Sequence, residues 1–180
     1  MVKALAALLA LTAVAHADDG FNMLGFRFGM GRVPIEHGAQ VAVSLGLGVE
    51  HPAFKWARVF GEYEWLYLGA AQTEMAEQDR HGSGHRVVLG LRRELFGKSG
   101  RALRVFVDAE LGGAIALMHD NMTDARFTPA AITGLRYGYD LYSSASDSPS
   151  RTFEAELITR LIATTDGLGF LVGIGMAWGN

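Results

Sequence analysis

From residue 39 to residue 50 the chain alternates without a break. Ala39, Val41, Val43, Leu45, Leu47 and Val49 are apolar, while Gln40, Ala42, Ser44, Gly46, Gly48 and Glu50 are small or polar. A helix, with 3.6 residues per turn, would scatter this pattern around its circumference, whereas successive side chains of a strand point to opposite faces. The same period recurs over residues 22–31, 57–68, 86–94, 103–117, 131–140, 153–163 and 168–178. Each segment is near the roughly 9–11 residues a tilted strand needs to cross a bilayer. Eight such segments predict an all-β, antiparallel, up-and-down transmembrane barrel, since an even number of strands closes with no unpaired edge in lipid.

A water-soluble barrel has the same period with its faces reversed, so the composition of each face decides between the two. The polar face is rich in Gly, Ala and Ser, which suits a narrow interior. Lysine occurs only at Lys3, Lys55 and Lys98, although soluble strands commonly display it outward. The apolar face carries a single arginine, Arg93, which the alternation puts at a strand end, within reach of the interface. Phe21, Trp56, Phe96, Tyr139, Phe153 and Trp178 map to one end of the strands, and Trp65, Tyr67 and Phe170 toward the other, as two aromatic girdles would. The apolar face therefore looks into lipid and the polar face into the lumen.

The N-terminus reads Met1-Val2-Lys3, an apolar run from Ala4 to Ala15, then Ala15-His16-Ala17 before Asp18-Asp19. That layout predicts a cleaved signal peptide over residues 1–17 and a single barrel domain over residues 18–180. The run is shorter than the roughly 20 residues of a spanning helix. With no cysteine, disulfides and thiolate chemistry are excluded, and a formal charge of −3 gives no basic surface for nucleic acid. With both termini periplasmic, periplasmic turns are expected near residues 50–55, 96–101 and 142–151, and outer loops near 32–38, 71–84, 119–126 and 164–167.

This pattern, over residues 21–178, resembles the eight-stranded outer-membrane barrels typified by the OmpA transmembrane domain, OmpX and OmpW. The resemblance implies the outer membrane of a Gram-negative bacterium as location. It also implies outer-membrane lipids and lipopolysaccharide as surroundings, the barrel-insertion machinery as a partner, and a monomer without cofactor.

Some barrels of this size modify lipid A with a His, a Ser and a carboxylate, and the near match here is His81-Gly82-Ser83 with His85 and Glu77. The alternation leaves these residues in a glycine-flanked outer loop, so no catalytic role is expected. His81, His85 and His119 lack any metal-ligand spacing, so no metal is expected either. Gly173-Ile174-Gly175 precedes no helix and reads as lumen wall rather than phosphate loop.

The candidate site is the lumen itself. Arg58, Glu62, Glu64, Arg86, Arg92, Glu94, Arg104, Asp108, Glu110, Arg136, Asp140, Glu154, Glu156 and Arg160 all fall on the inward face of the third to seventh segments. The eighth, first and second offer mainly Gly, Ala and Ser, with Arg27 and Glu50 as charged exceptions. Long charged side chains from one wall are expected to reach toward the glycine wall and pair, giving a salt-bridged, non-enzymatic barrel with a plugged lumen. A narrow pore is the alternative, and a lipid A-modifying enzyme a lesser one.

Overall fold

The computed structural model describes residues 23–35, 38–71, 80–99, 103–120, 125–143 and 150–179. The leader, Phe21 and Glu77 lie outside them. Eight strands follow in chain order: β1 Met23–Ile35, β2 Gly38–Phe54, β3 Ala57–Ala71, β4 Arg80–Ser99, β5 Leu103–Asp120, β6 Arg126–Ser143, β7 Ser150–Thr164 and β8 Gly167–Gly179. Each pairs antiparallel with its sequence neighbour, and β8 pairs with β1 to close the barrel.

Following register partners from Met23 through Glu50, Phe60, Gly90, Gly112, Ile132 and Ile162 leads to Gly169 on β8, beside the Phe170 that faces Arg32. One circuit thus climbs about ten residues along β1, the stagger that tilts the strands and sets the bore. The end where β1 starts and β8 finishes is called here the terminal end, and the opposite one the loop end.

The strands outrun the segments of strict alternation. The first terminal turn is only Lys55-Trp56. Phe96 to Ser99 belong to β4, which passes a bulge at Leu95 and still pairs Lys98 with Val105 and Ser99 with Arg104. A bulge sets two residues against one, which hides the period-2 signal there. Arg93 is therefore well inside a strand rather than at its end. At the loop end His119 and Asp120 lie in β5, and Arg32 lies in β1. Residues 82–85 are strand as well, with Ser83 between Tyr67 and His119 and His85 between Trp65 and Leu117. The expected glycine-flanked loop is thus corrected, because ladder pairing on both sides outweighs the low strand preference of Gly82 and Gly84. The tight β7–β8 turn uses Gly167 at a φ of 137°, and the Asp166 N–H donates to Thr164 Oγ1 (3.1 Å).

The exterior is apolar. Leu111, Ile115, Leu161 and Ile174 are each more than half exposed, while Arg92, Arg136 and Arg160 are buried inside. This inverts a soluble barrel and is what a hydrocarbon solvent requires. Two outward threonine hydroxyls are paired within the protein: Thr133 Oγ1 donates to the Glu110 carbonyl (3.2 Å) and Thr159 Oγ1 to the Leu135 carbonyl (3.3 Å). Tyr63 Oη and His85 Nδ1 share a hydrogen bond of 2.6 Å. A polar atom left unpaired in lipid would cost several kcal/mol. At the terminal end Phe54 stacks on Trp56, and Trp178 contacts both Phe26 and Phe153 edge-on.

Candidate functional site: the barrel lumen

The charges fill the lumen from the terminal rim up to Glu64, Arg86 and Arg160. Arg92, on β4, is buried and donates through Nε to Glu110 Oε1 (2.7 Å), through Nη1 to Glu50 Oε2 (2.7 Å) and through Nη2 to Glu62 Oε1 (2.6 Å). Its guanidinium also lies 4.1 Å from the centre of the Phe60 ring. Arg160, on β7, donates through Nε to Glu110 Oε2 (2.8 Å) and through Nη1 to Glu62 Oε2 (2.6 Å), with Glu64 Oε1 at 3.3 Å. Glu62 and Glu110 therefore both bridge Arg92 and Arg160, which come from different walls.

Arg136, on β6, is a second hub. It pairs with Asp108, and its Nη1 donates to Glu154 (2.5 Å), Glu156 (2.9 Å) and Glu50 (3.1 Å). Arg58 reaches Asp108 (2.6 Å) and Glu50 (2.8 Å). Arg86 pairs with Glu64, which faces it across the β3–β4 ladder. Arg104, Glu94 and Asp140 form a separate group at the terminal rim, with Arg104 3.5 Å from Asp140, and Glu94 the most exposed of the three. All the lumen residues expected from the sequence are thus brought into one interior, and only the rim group stands apart from the two hubs.

The glycine wall makes room for this. Arg27 bridges Glu62 and Glu156 from opposite sides of the barrel. A Cβ at Gly48 would lie 2.7 Å from Arg27 Nη1, and one at Gly175 would lie 2.5 Å from Glu156 Oε1. Glu50, the other charged residue of that wall, meets Arg58, Arg92 and Arg136. The two charged exceptions are thus the wall's contribution to the network.

Apolar side chains fill the rest. Val33, Ala42 and Leu68 with Met118 form a buried cluster at the loop end, and Phe60, Val88, Ala114 and Ile132 form another beside the charges, with Phe60 on the terminal side of Glu62 and Val88 on the terminal side of Arg86. Leu66, Ile162 and Leu171 are also buried, so every strand sends an apolar side chain inward. Parity puts these residues on the inward face without assigning them a role. The signal that could find them is their bulk on that face.

Elsewhere, no hydrogen bond joins Ser83 to His85 or His119 among the described residues, and His85 is engaged by Tyr63. No group of three or more metal-ligating side chains occurs among the described residues.

A closed eight-stranded antiparallel barrel with an apolar exterior is the architecture of small outer-membrane barrels, and this chain has that fold. It superposes on Neisserial surface protein A over 89% of this chain and 97% of that one, at 7% identity and a TM-score of 0.54. Ail, the attachment invasion locus protein of Yersinia pestis, aligns over 91% of this chain and 100% of its own, at 13% identity and a TM-score of 0.47. No family model matches the sequence, and no curated protein is recognisably similar to it.

Proposed function

We propose that this chain is an integral outer-membrane protein of a Gram-negative bacterium, delivered by a leader cleaved after Ala17. In this reading it is a non-enzymatic monomer with a closed lumen, surrounded by outer-membrane lipids and lipopolysaccharide and placed there by the barrel-insertion machinery. Its role is structural, or lies in surface contacts made through its loops.

The observation that carries this reading is the lumen's filling. Arg92, Arg136 and Arg160 are buried across the bore and bind carboxylates from opposite walls, with an apolar layer above them. Such packing supports a closed lumen, because a substrate site needs a concave, solvent-lined space. The lack of a hydrogen bond from Ser83 to His85 or His119 among the described residues supports a non-enzymatic reading, and Ser83→Ala is expected to leave the lipid A acylation pattern unchanged by mass spectrometry.

Expression of the full chain in a Gram-negative host tests the location. The protein should co-fractionate with outer membranes, begin at Asp18 by N-terminal sequencing, and migrate differently on gels before and after boiling. A soluble product that retains Met1 and shows no heat-dependent shift would overturn the reading.

A further inference from the structure

Charge on this barrel is sorted by sign. Every described carboxylate on the strands faces the lumen, whereas the arginines and lysines on the lipid-facing side of the strands are Arg32, Arg93 and Lys98. Arg32 lies at the loop end, opposite Phe170 and Val41. The other two lie on β4 near the terminal end.

Arg93 is the one that demands an explanation. It pairs across the ladder with Ala109 and is exposed. Leu91 precedes it on the same face, and the bulge sends Leu95 and Phe96 to the surface beyond it, 60% and 58% exposed. No carboxylate among the described residues pairs with Arg93. Lys98, opposite Val105, follows on the same face and has none either. A guanidinium inside an apolar belt needs an anion or a path to water, and the described residues supply no side-chain acid beside it. A phosphodiester supplies the anion, since guanidinium binds its oxygens in bidentate fashion. Two cations with no acid beside them also favour a lipid of net negative charge over a zwitterion, whose own amine would compete.

We propose that Arg93, assisted by Lys98, binds the headgroup phosphate of an anionic phospholipid in the leaflet at the terminal end. One acyl chain of that lipid would lie against Leu91 and Leu111. The site rests on the membrane reading above. Retention of the heat-dependent gel shift separates a failure of this proposal from a failure of that reading.

Trp56 stands at the same rim, two residues before the Arg58 that pairs with Arg92, and serves as the reporter. A Trp65→Phe, Trp178→Phe background leaves Trp56 as the single tryptophan. This barrel is refolded into vesicles that mix phosphatidylglycerol with phosphatidylcholine, one of the two carrying brominated acyl chains. Trp56 quenching then gives the relative affinity for the two headgroups. Phosphatidylglycerol should be preferred about fivefold, the size expected for one basic residue at an anionic surface. Arg93→Gln should bring the ratio to about one and Lys98→Gln should lower it less, while Arg32→Gln, at the far end, should leave it unchanged. Equal affinity in the parent barrel would overturn the proposal. So would a preference that survives Arg93→Gln, or one that instead disappears with Arg32→Gln.

Discussion

The charged and the apolar regions of the lumen are filled by opposite chemistry. Among the charges several carboxylates answer to more than one guanidinium: Glu62 to Arg27, Arg92 and Arg160, and Glu50 to Arg58, Arg92 and Arg136. At the loop end Val33, Ala42 and Leu68 pack as in an ordinary core, and Val88 and Ile132 pack in a second cluster beside the charges. The difference lies in how each region fails. An apolar residue contributes through its own buried area, so its loss is local. An ion-pair hub holds charges that would otherwise be stranded in low dielectric, so its loss is felt by several partners at once.

The largest effect is therefore expected from Arg136→Leu. It leaves Asp108, Glu154 and Glu156 without their shared cation and should destabilise the barrel by about 3–5 kcal/mol, read by urea unfolding in lipid vesicles. A loss near that of a single apolar deletion would mean the charged and apolar regions do not differ in this way.

Next comes Gly90→Ala, where an apolar side chain meets the ion pairs. The added Cβ would lie 2.6 Å from the Leu111 carbonyl oxygen and 2.7 Å from the Phe60 ring, on which Arg92 rests. Overpacking of this kind costs about 1–3 kcal/mol. Phe60→Leu in the same chain should recover part of it by the same unfolding assay, and no recovery would show that the backbone clash alone is responsible.

Ile132→Val, in the apolar cluster beside the charges, should cost about 0.5–1.5 kcal/mol, the loss of one buried methylene. The smallest change is expected outside the lumen. Thr133→Val removes one lipid-facing hydroxyl and should shift stability by only about 0.6 kcal/mol. A larger shift for Thr133→Val than for Ile132→Val would reverse the assigned importance of interior and exterior.

The strand count and inward face were legible because strict alternation survives wherever one face meets lipid and the other a narrow lumen. Arg58, Glu62 and Arg160 could be placed inside from parity alone. What parity does not carry is pairing across the bore. Nothing in the local sequence joins Arg27 to Glu156, or Arg136 to Glu50; the barrel's stagger does. Strand ends were also lost, since a bulge at Leu95 breaks the period while the ladder continues. For that reason Arg93 read as a terminal residue, and Ser83 and His85 as loop. The apolar filling of the lumen was visible only as large residues on the inward face, and such residues are equally at home in any strand.

The most direct test of a filled lumen is electrical. The purified, refolded wild-type barrel in a planar bilayer should show no steady conductance, because the ion pairs and the apolar layer at the loop end lie in series along the bore. For the same reason Arg92→Ala should remain silent while that apolar layer is intact. Steady, reproducible channels in the wild type would contradict the account.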